Sequence, residues 1–302
     1  MKDWNQSFDL NFLKLAVGDI LKQILKQVAK VFGVLRVRRI VSRTRMGFGY
    51  FLADLIKLTK WIFKDTEDSN FYYDLEPKNE QYLINLISNI TGAPNLQVEI
   101  YMNEIKENVT LRERIEKSLV ETGYPTEIQV RFGRRIGWYA LIRILKPKVV
   151  VETGVDHGIG LSVICEALKL NRIEGYDGRY YGTDINLLAG KLNSPEYFDY
   201  SKILYGDSIT SLSNLNETID LFINDSDHSE DYEMKEYEVI QKKLSKNAFI
   251  LGDNSHVTDK LSVFSNLNNR RFYFFKEEPL NHWYPGAGIG ISICPAKNET
   301  SA

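Results

Sequence analysis

The sequence predicts an α/β protein: a doubly wound, mostly parallel sheet with an antiparallel C-terminal strand, preceded by a helical N-terminal region. Three observations carry this. From Lys148 onward, short β-branched or aromatic runs alternate with helical periodicities. The last two runs, "RRFYFFKE" and "GIGISICPA", follow one another as strands that can pair. Upstream of residue 134 the apolar periodicities are helical.

Residues 10–35 place Leu13, Val17, Ile20, Ile24, Val28 and Val31 on one stripe, with Lys14, Lys22, Lys26 and Lys30 on another. "RVRRIVSRTR", five arginines in ten residues, reads as surface charge, and a second helical run spans about Phe48 to Phe63. Polar "KDTEDSNFYYDLEPKNE" closes this basic section. Helices are expected at about 78–90 and 109–121, and "RRIGWYALIRILKP" reads as the helix that feeds the first strand. That strand is "KVVVET", followed by a helix at about 159–170. "RYYGTDI", "SKILYGD", "IDLFIND" and "NAFILGDN" supply strands two to five, with a charged helix at about 230–244 after the fourth. The chain divides into a basic helical region (1–75), a helical linker or cap (76–133) and the α/β domain (134–302).

Composition is globular, 43% hydrophobic and 26% charged, which argues against wholesale disorder. A net charge of −2 implies no nucleic-acid partner for the whole molecule. The charge is uneven, however: residues 1–64 hold 13 Lys or Arg against 4 Asp or Glu. Such an end can meet an acidic partner or the surface of a membrane, or be a solvated skin. Its apolar stripe serves equally as a core or a homo-oligomer interface. Two distant cysteines, with Cys165 reading as a buried thiol, fit a reducing, cytoplasmic setting. The polar start argues against a signal peptide, and no run of about 18 apolar residues offers a transmembrane segment.

Ligands of such sheets lie beyond the carboxyl ends of the strands, near the switch point, and the unusual residues collect there. "VVVETGVDHGIG" leads from the first strand into a helix with Glu152, Gly154, Gly158 and Gly160 in register. A dinucleotide fingerprint needs glycine at position 156, where Asp156 stands, so a nicotinamide is disfavoured. Glycines there let a ligand approach the backbone and the following helix N-terminus face an anionic group. A plain tight turn is the alternative, with His157 lining it. Asp184 ends the second strand, where a carboxylate can accept two ribose hydroxyls; Asp207 ends the third, placed for an adenine edge. Either acid alone is as readily a turn or helix cap. Acids at three successive strand ends are more specific.

These motifs resemble those of the class I S-adenosylmethionine-dependent methyltransferases: "VVVETGVDHGIG" their first, "YYGTDIN" their second and "YGDS" their third, over roughly residues 134–295. The resemblance implies a Rossmann-like fold and S-adenosyl-L-methionine as cofactor. It implies Glu152, Gly154 and Gly158 around the methionine part, Asp184 on the ribose, and Asp207 with Ser208 near the adenine; Asp156, where the sequence departs from the pattern, and His157 lie in the cofactor turn by position. Many members carry glycine in place of Asp156; the catechol-type O-methyltransferases lack it too.

"INDSDHSEDY" and "LGDNS" end strands four and five, so Asp225, Asp253 and Asn254 should converge. Two carboxylates and an amide oxygen are hard donors that suit Mg²⁺, and metal-dependent O-methyltransferases use a similar set. Asp225 would also border the cofactor, Asp227 is an alternative first ligand, and exposed loop acids or caps are the bland reading. His228 stands where the catechol-type enzymes carry a lysine base, an arrangement similar to the macrolide-sugar O-methyltransferases. A neutral imidazole with pKa near about 6.5 can take a hydroxyl proton. His256 and His282 are candidate substrate-facing groups, Trp283 and Tyr284 a lid or core packing, and Arg134 and Arg135 a solvated helix face or a counter-charge for an acidic substrate. The expected function is methyl transfer to a hydroxyl of a sugar or natural-product-like acceptor, Mg²⁺-assisted. The alternatives are a metal-independent small-molecule methyltransferase, and a non-catalytic cofactor-binding module whose basic N-terminus docks to a membrane or an acidic partner.

Overall fold

The computed structural model describes residues 18–24, 26–27, 30, 33–63, 73–122, 129–227 and 229–295. The chain forms two units, Met1–Phe63 and Lys64–Ala302.

In the first unit one continuous helix of 29 residues runs over Val34–Ile62. The sequence suggests a helix only from about Phe48, with a separate arginine run before it. The structure joins them, because arginine is itself a good helix former. Gly47 and Gly49, at about 1 kcal/mol each against helix, do not end it. Of the 10–35 stripe, residues 18–24 are helical; Leu13, Lys14, Val17, Val28 and Val31 lie outside the described residues. Among the described residues no helix is long and apolar enough to cross a membrane.

The second unit holds a seven-stranded sheet in the order β3-β2-β1-β4-β5-β7-β6. Its strands are β1 (Val149–Thr153), β2 (Arg179–Asp184), β3 (Ser201–Tyr205), β4 (Ile219–Asn224), β5 (Leu244–Gly252), β6 (Arg271–Lys276) and β7 (Gly288–Ile293). The first five are parallel, β7 runs antiparallel to β5, and β6 pairs antiparallel with β7. The expected architecture is therefore the observed one. β1 and β4 are β-branched or apolar along nearly their whole length because helices cover both faces.

Helices Pro77–Thr91, Asn95–Lys106, Val109–Glu121 and Arg135–Leu145 contribute Leu83, Met102, Ile115 and Trp138 to the same core as Val150 and Leu221 of the sheet. The helix Asn95–Lys106 is not anticipated from the sequence, although buried Val98, Met102 and Ile105 recur at helical spacing. Asn79 ties this helical layer to the end of β6, donating to the Lys276 carbonyl (2.9 Å) and accepting from the Glu278 N–H (2.9 Å).

Candidate functional site

The sheet register builds the site. Thr183, Thr153, Asn224 and Gly252 stand in one row across β2, β1, β4 and β5. The next residues along these strands are Asp184, Gly154, Asp225 and Asp253, which therefore share the carboxyl edge. Strand order reverses between β1 and β4, so Gly154 and Asp225 flank the switch point.

Gly154 adopts φ +80°, and a Cβ there would fall 1.9 Å from the Asp225 carbonyl oxygen. Glycine is thus required twice over, by conformation and by the closeness of the β4 tip. Gly158 (φ +99°) caps the helix Ile159–Ile173, and Asp156 itself holds φ +47°. An aspartate tolerates that left-handed conformation better than most residues, and its N–H donates to Asp184 Oδ2 (2.8 Å). His157 Nδ1 lies 2.8 Å from Asp156 Oδ1. Asp184 Oδ1 takes the Asn186 N–H (2.7 Å). Each Asp184 oxygen is oriented by one backbone N–H and keeps a lone pair for a further donor.

Glu152 is 1% exposed and accepts from the Tyr180 hydroxyl. Burial pushes its carboxyl up to about 7, against the lowering pull of the Tyr180 bond and of Arg135. Asp207 caps the helix Ser208–Asn214, accepting from the Thr210 N–H and Oγ1 (both 2.7 Å) and from Tyr232 Oη (2.7 Å). The Thr210 hydroxyl, then Tyr232, hold Asp207 below the usual carboxylate range. The Ser208 hydroxyl is taken up by Glu236 and by Tyr232. Glu236 was not anticipated as a site residue, because it reads as one acid of a charged helix. Yet it lies beneath the switch point and also accepts from Thr153 (3.1 Å), Ser226 (2.9 Å) and Asn224. Burial raises it to about 7.

Asp225 and Asp253 lie close enough for each to act on the other's charge. Burial, then the neighbouring Asp253, push Asp225 well above the usual range. Burial also works against the Asp253 charge, but Arg134 overrides it and holds that group below its ordinary value. Asn254 is fully buried, and its Nδ2 donates to the Asp227 carbonyl (3.1 Å). Its Oδ1 is buried without a hydrogen-bond partner among the described residues.

The arginines depart from the solvated-face expectation. Arg134 is 6% exposed and pairs with Asp253 and, at 3.4 Å, with Glu277. Arg135 stands 4.0 Å from Asp225. Glu277 is fully buried and also accepts from the Arg134 N–H (3.0 Å) and the Tyr73 hydroxyl (2.9 Å). Tyr73 in turn meets the rings of His282 (centroids 5.3 Å apart) and Tyr284 (6.1 Å), with Trp283 beside them. So Trp283 and Tyr284 belong to an aromatic group that borders the buried charges. Tyr73 and Glu277 escape sequence reasoning because they meet across 204 residues. His256 Nδ1 lies 2.9 Å from the Asp253 carbonyl; a carbonyl only accepts, so the proton sits on Nδ1 and Nε2 of the neutral ring is the acceptor. His228 lies outside the described residues.

The arrangement offers a glycine-lined turn, a carboxylate with acceptor capacity on both oxygens, and a buried acid pair beside two guanidinium groups. Residues 151–255 match the family model described as "Methyltransferase domain". No curated protein matches the chain. Among solved structures the chain is similar to the O-methyltransferase TomG from Streptomyces achromogenes, involved in tomaymycin synthesis and solved with S-adenosylmethionine. Identity is 12%, coverage 63% of this chain and 91% of that one, and the TM-score 0.45. It is also similar to an O-methyltransferase from Bacillus cereus (12% identity, 66% and 100% covered, TM-score 0.44). A third is the methyltransferase PaMTH1 of Podospora anserina (18% identity, 62% and 88% covered, TM-score 0.44). The family match lies across β1 to β5, with the acids at their tips, so residues 151–255 are similar to a methyltransferase domain.

Proposed function

We propose that the chain transfers the methyl group of S-adenosyl-L-methionine to a hydroxyl oxygen of a sugar or natural-product-like small molecule. The observation that supports this most is the contact of the glycine turn with the tip of β4. It brings the cofactor-type turn and the Asp225–Asp253 pair to one switch point. Glu152, Gly154, Asp156, His157 and Gly158 surround the methionine part in this reading. Asp184 takes the ribose diol on its two remaining lone pairs, and Asp207 with Ser208 borders the adenine. Bound S-adenosyl-L-methionine supplies an electrophilic methyl group. The chain's own work is to hold the acceptor oxygen in line with that carbon and to remove its proton. His228, which falls in sequence between β4 and the helix Glu230–Ile240, is the proposed base. Arg134 and Arg135 keep the acid pair from carrying two uncompensated charges.

Asp225, Asp253 and Asn254 are oxygen donors of the kind Mg²⁺ takes, and the unpartnered Asn254 Oδ1 fits a third ligand. These three residues would hold the ion, which when bound lowers the pKa of an acceptor hydroxyl. A second reading, transfer without metal, is favoured by the ion pair of Arg134 with Asp253, which already supplies a cation to the site. The two part on a titration with Mg²⁺ alone and on activity in chelator.

The test is transfer of a labelled methyl group to a panel of glycosylated and phenolic acceptors by the parent and by His228→Ala. The variant is expected to bind the cofactor normally and to lose about 10²–10⁴-fold in turnover. Undiminished turnover would remove the base assignment and turn attention to His256.

A further inference from the structure

The helix Val34–Ile62 has no part in the methyl-transfer reading, and its surface is unusual. Its sequence holds seven Arg or Lys and a single acid, Asp54, which lies 3.7 Å from Lys57. Val41, Phe48, Phe51, Leu52, Leu55 and Ile62 recur at steps of three, four and seven, and so fall on one face about 100° wide. All six are exposed, Phe48 by 58% and Phe51 by 72%. Arg38, Arg39, Arg43, Arg45 and Lys60 lie on the remaining arc and are exposed as well, interspersed there with exposed Leu35, Met46 and Tyr50.

We propose that this helix is a binding surface for an anionic membrane and lies in the headgroup plane with its apolar face down. A helix about 44 Å long with charges along its whole length cannot span a bilayer. What it does have is a bulky aromatic and aliphatic face flanked by arginines, the combination that partitions into an interface rich in acidic headgroups. Charge complementarity selects this occupant over a second copy of the chain. A helical pair joined along the apolar face would set basic flank against basic flank, whereas coiled coils put opposite charges there. A nucleic acid would leave the phenylalanines in water. The proposal holds whatever the methyl acceptor is.

The experiment is co-sedimentation of the full chain with vesicles of phosphatidylcholine alone or with about a third phosphatidylserine, at low and high salt. Binding is expected only to the anionic vesicles and to weaken with salt. Two sets of substitutions preserve helix propensity and so report on the surface. Arg38→Gln with Arg45→Gln, the arginines nearest the apolar face, should lower the partition coefficient about fivefold per arginine. Phe48→Ala with Phe51→Ala should lower it about tenfold per ring. Unchanged thermal unfolding of each variant shows that the second unit is intact. Failure of the parent to sediment with anionic vesicles overturns the proposal, as does binding that survives both sets. Sedimentation equilibrium showing an oligomer that Phe48→Ala with Phe51→Ala dissolves would assign the face to a second copy instead.

Discussion

Glu152 shows how much a single buried group can set. Its carboxyl lies at about 7 in the folded chain against 4.5 when free, so between those values the folded state holds a proton that the unfolded state has lost. Stability from this group is therefore greatest below pH 4.5, falls as pH rises towards 7, and is a constant penalty above. Glu152→Gln keeps the shape and removes the titration. Its unfolding midpoint should rise above the parent's at pH 8 and nearly meet it at pH 5, a swing of roughly 2–3 kcal/mol. A gap equal at both pH values would contradict the burial argument. Residues that directly follow an apolar strand, such as Asp184 and Asp225, are legible in the sequence because strand ends are. Arg134 is not: its partners Asp253 and Glu277 lie more than a hundred residues away, and only the packing of the helix Arg135–Leu145 against the sheet reveals that its charge is buried.

At the scale of elements, the glycine turn and the short helix after β3 carry separate predictions. Gly154→Ala forces a Cβ into the Asp225 carbonyl and a side chain into a left-handed conformation. It should cost at least about 1–2 kcal/mol from conformation alone and abolish cofactor binding, read by thermal unfolding and titration. Retained binding at parental stability would show that the turn does not abut β4 as described. Asp207→Ala removes the cap on Ser208–Asn214, at a cost of about 1 kcal/mol, whereas Asp207→Asn keeps most of it. If Asp207 also borders the adenine, both variants weaken cofactor binding; if it only caps, Asp207→Asn binds as the parent does. Strand identities were legible throughout, since alternating β-branched and glycine-punctuated runs mark them. Of the helix Val34–Ile62 only the second half is legible, because an arginine run says charge before it says helix.

For the whole molecule, the sheet topology is the firmest consequence of the sequence. Strand runs alternating with helical segments favour a parallel sheet with right-handed crossovers, although only the 3₁₀ turn Pro195–Tyr197 stands between β2 and β3, and β6–β7, joined without a helix, close it antiparallel. The chemistry at the carboxyl edge then follows from register, which sets Asp184, Gly154, Asp225 and Asp253 in one row. Both hydrophobic clusters lie within Lys64–Ala302. That unit produced alone should accordingly unfold cooperatively and bind cofactor as the full chain does; a collapsed or non-binding product would contradict this division. The central claim, that the glycine turn and the strand-tip acids hold S-adenosyl-L-methionine, is tested most directly by calorimetric titration of the full chain with that compound, with Mg²⁺ and with chelator. Saturable micromolar binding that Gly154→Ala abolishes is the predicted result. Absence of binding under all of these conditions would contradict the account.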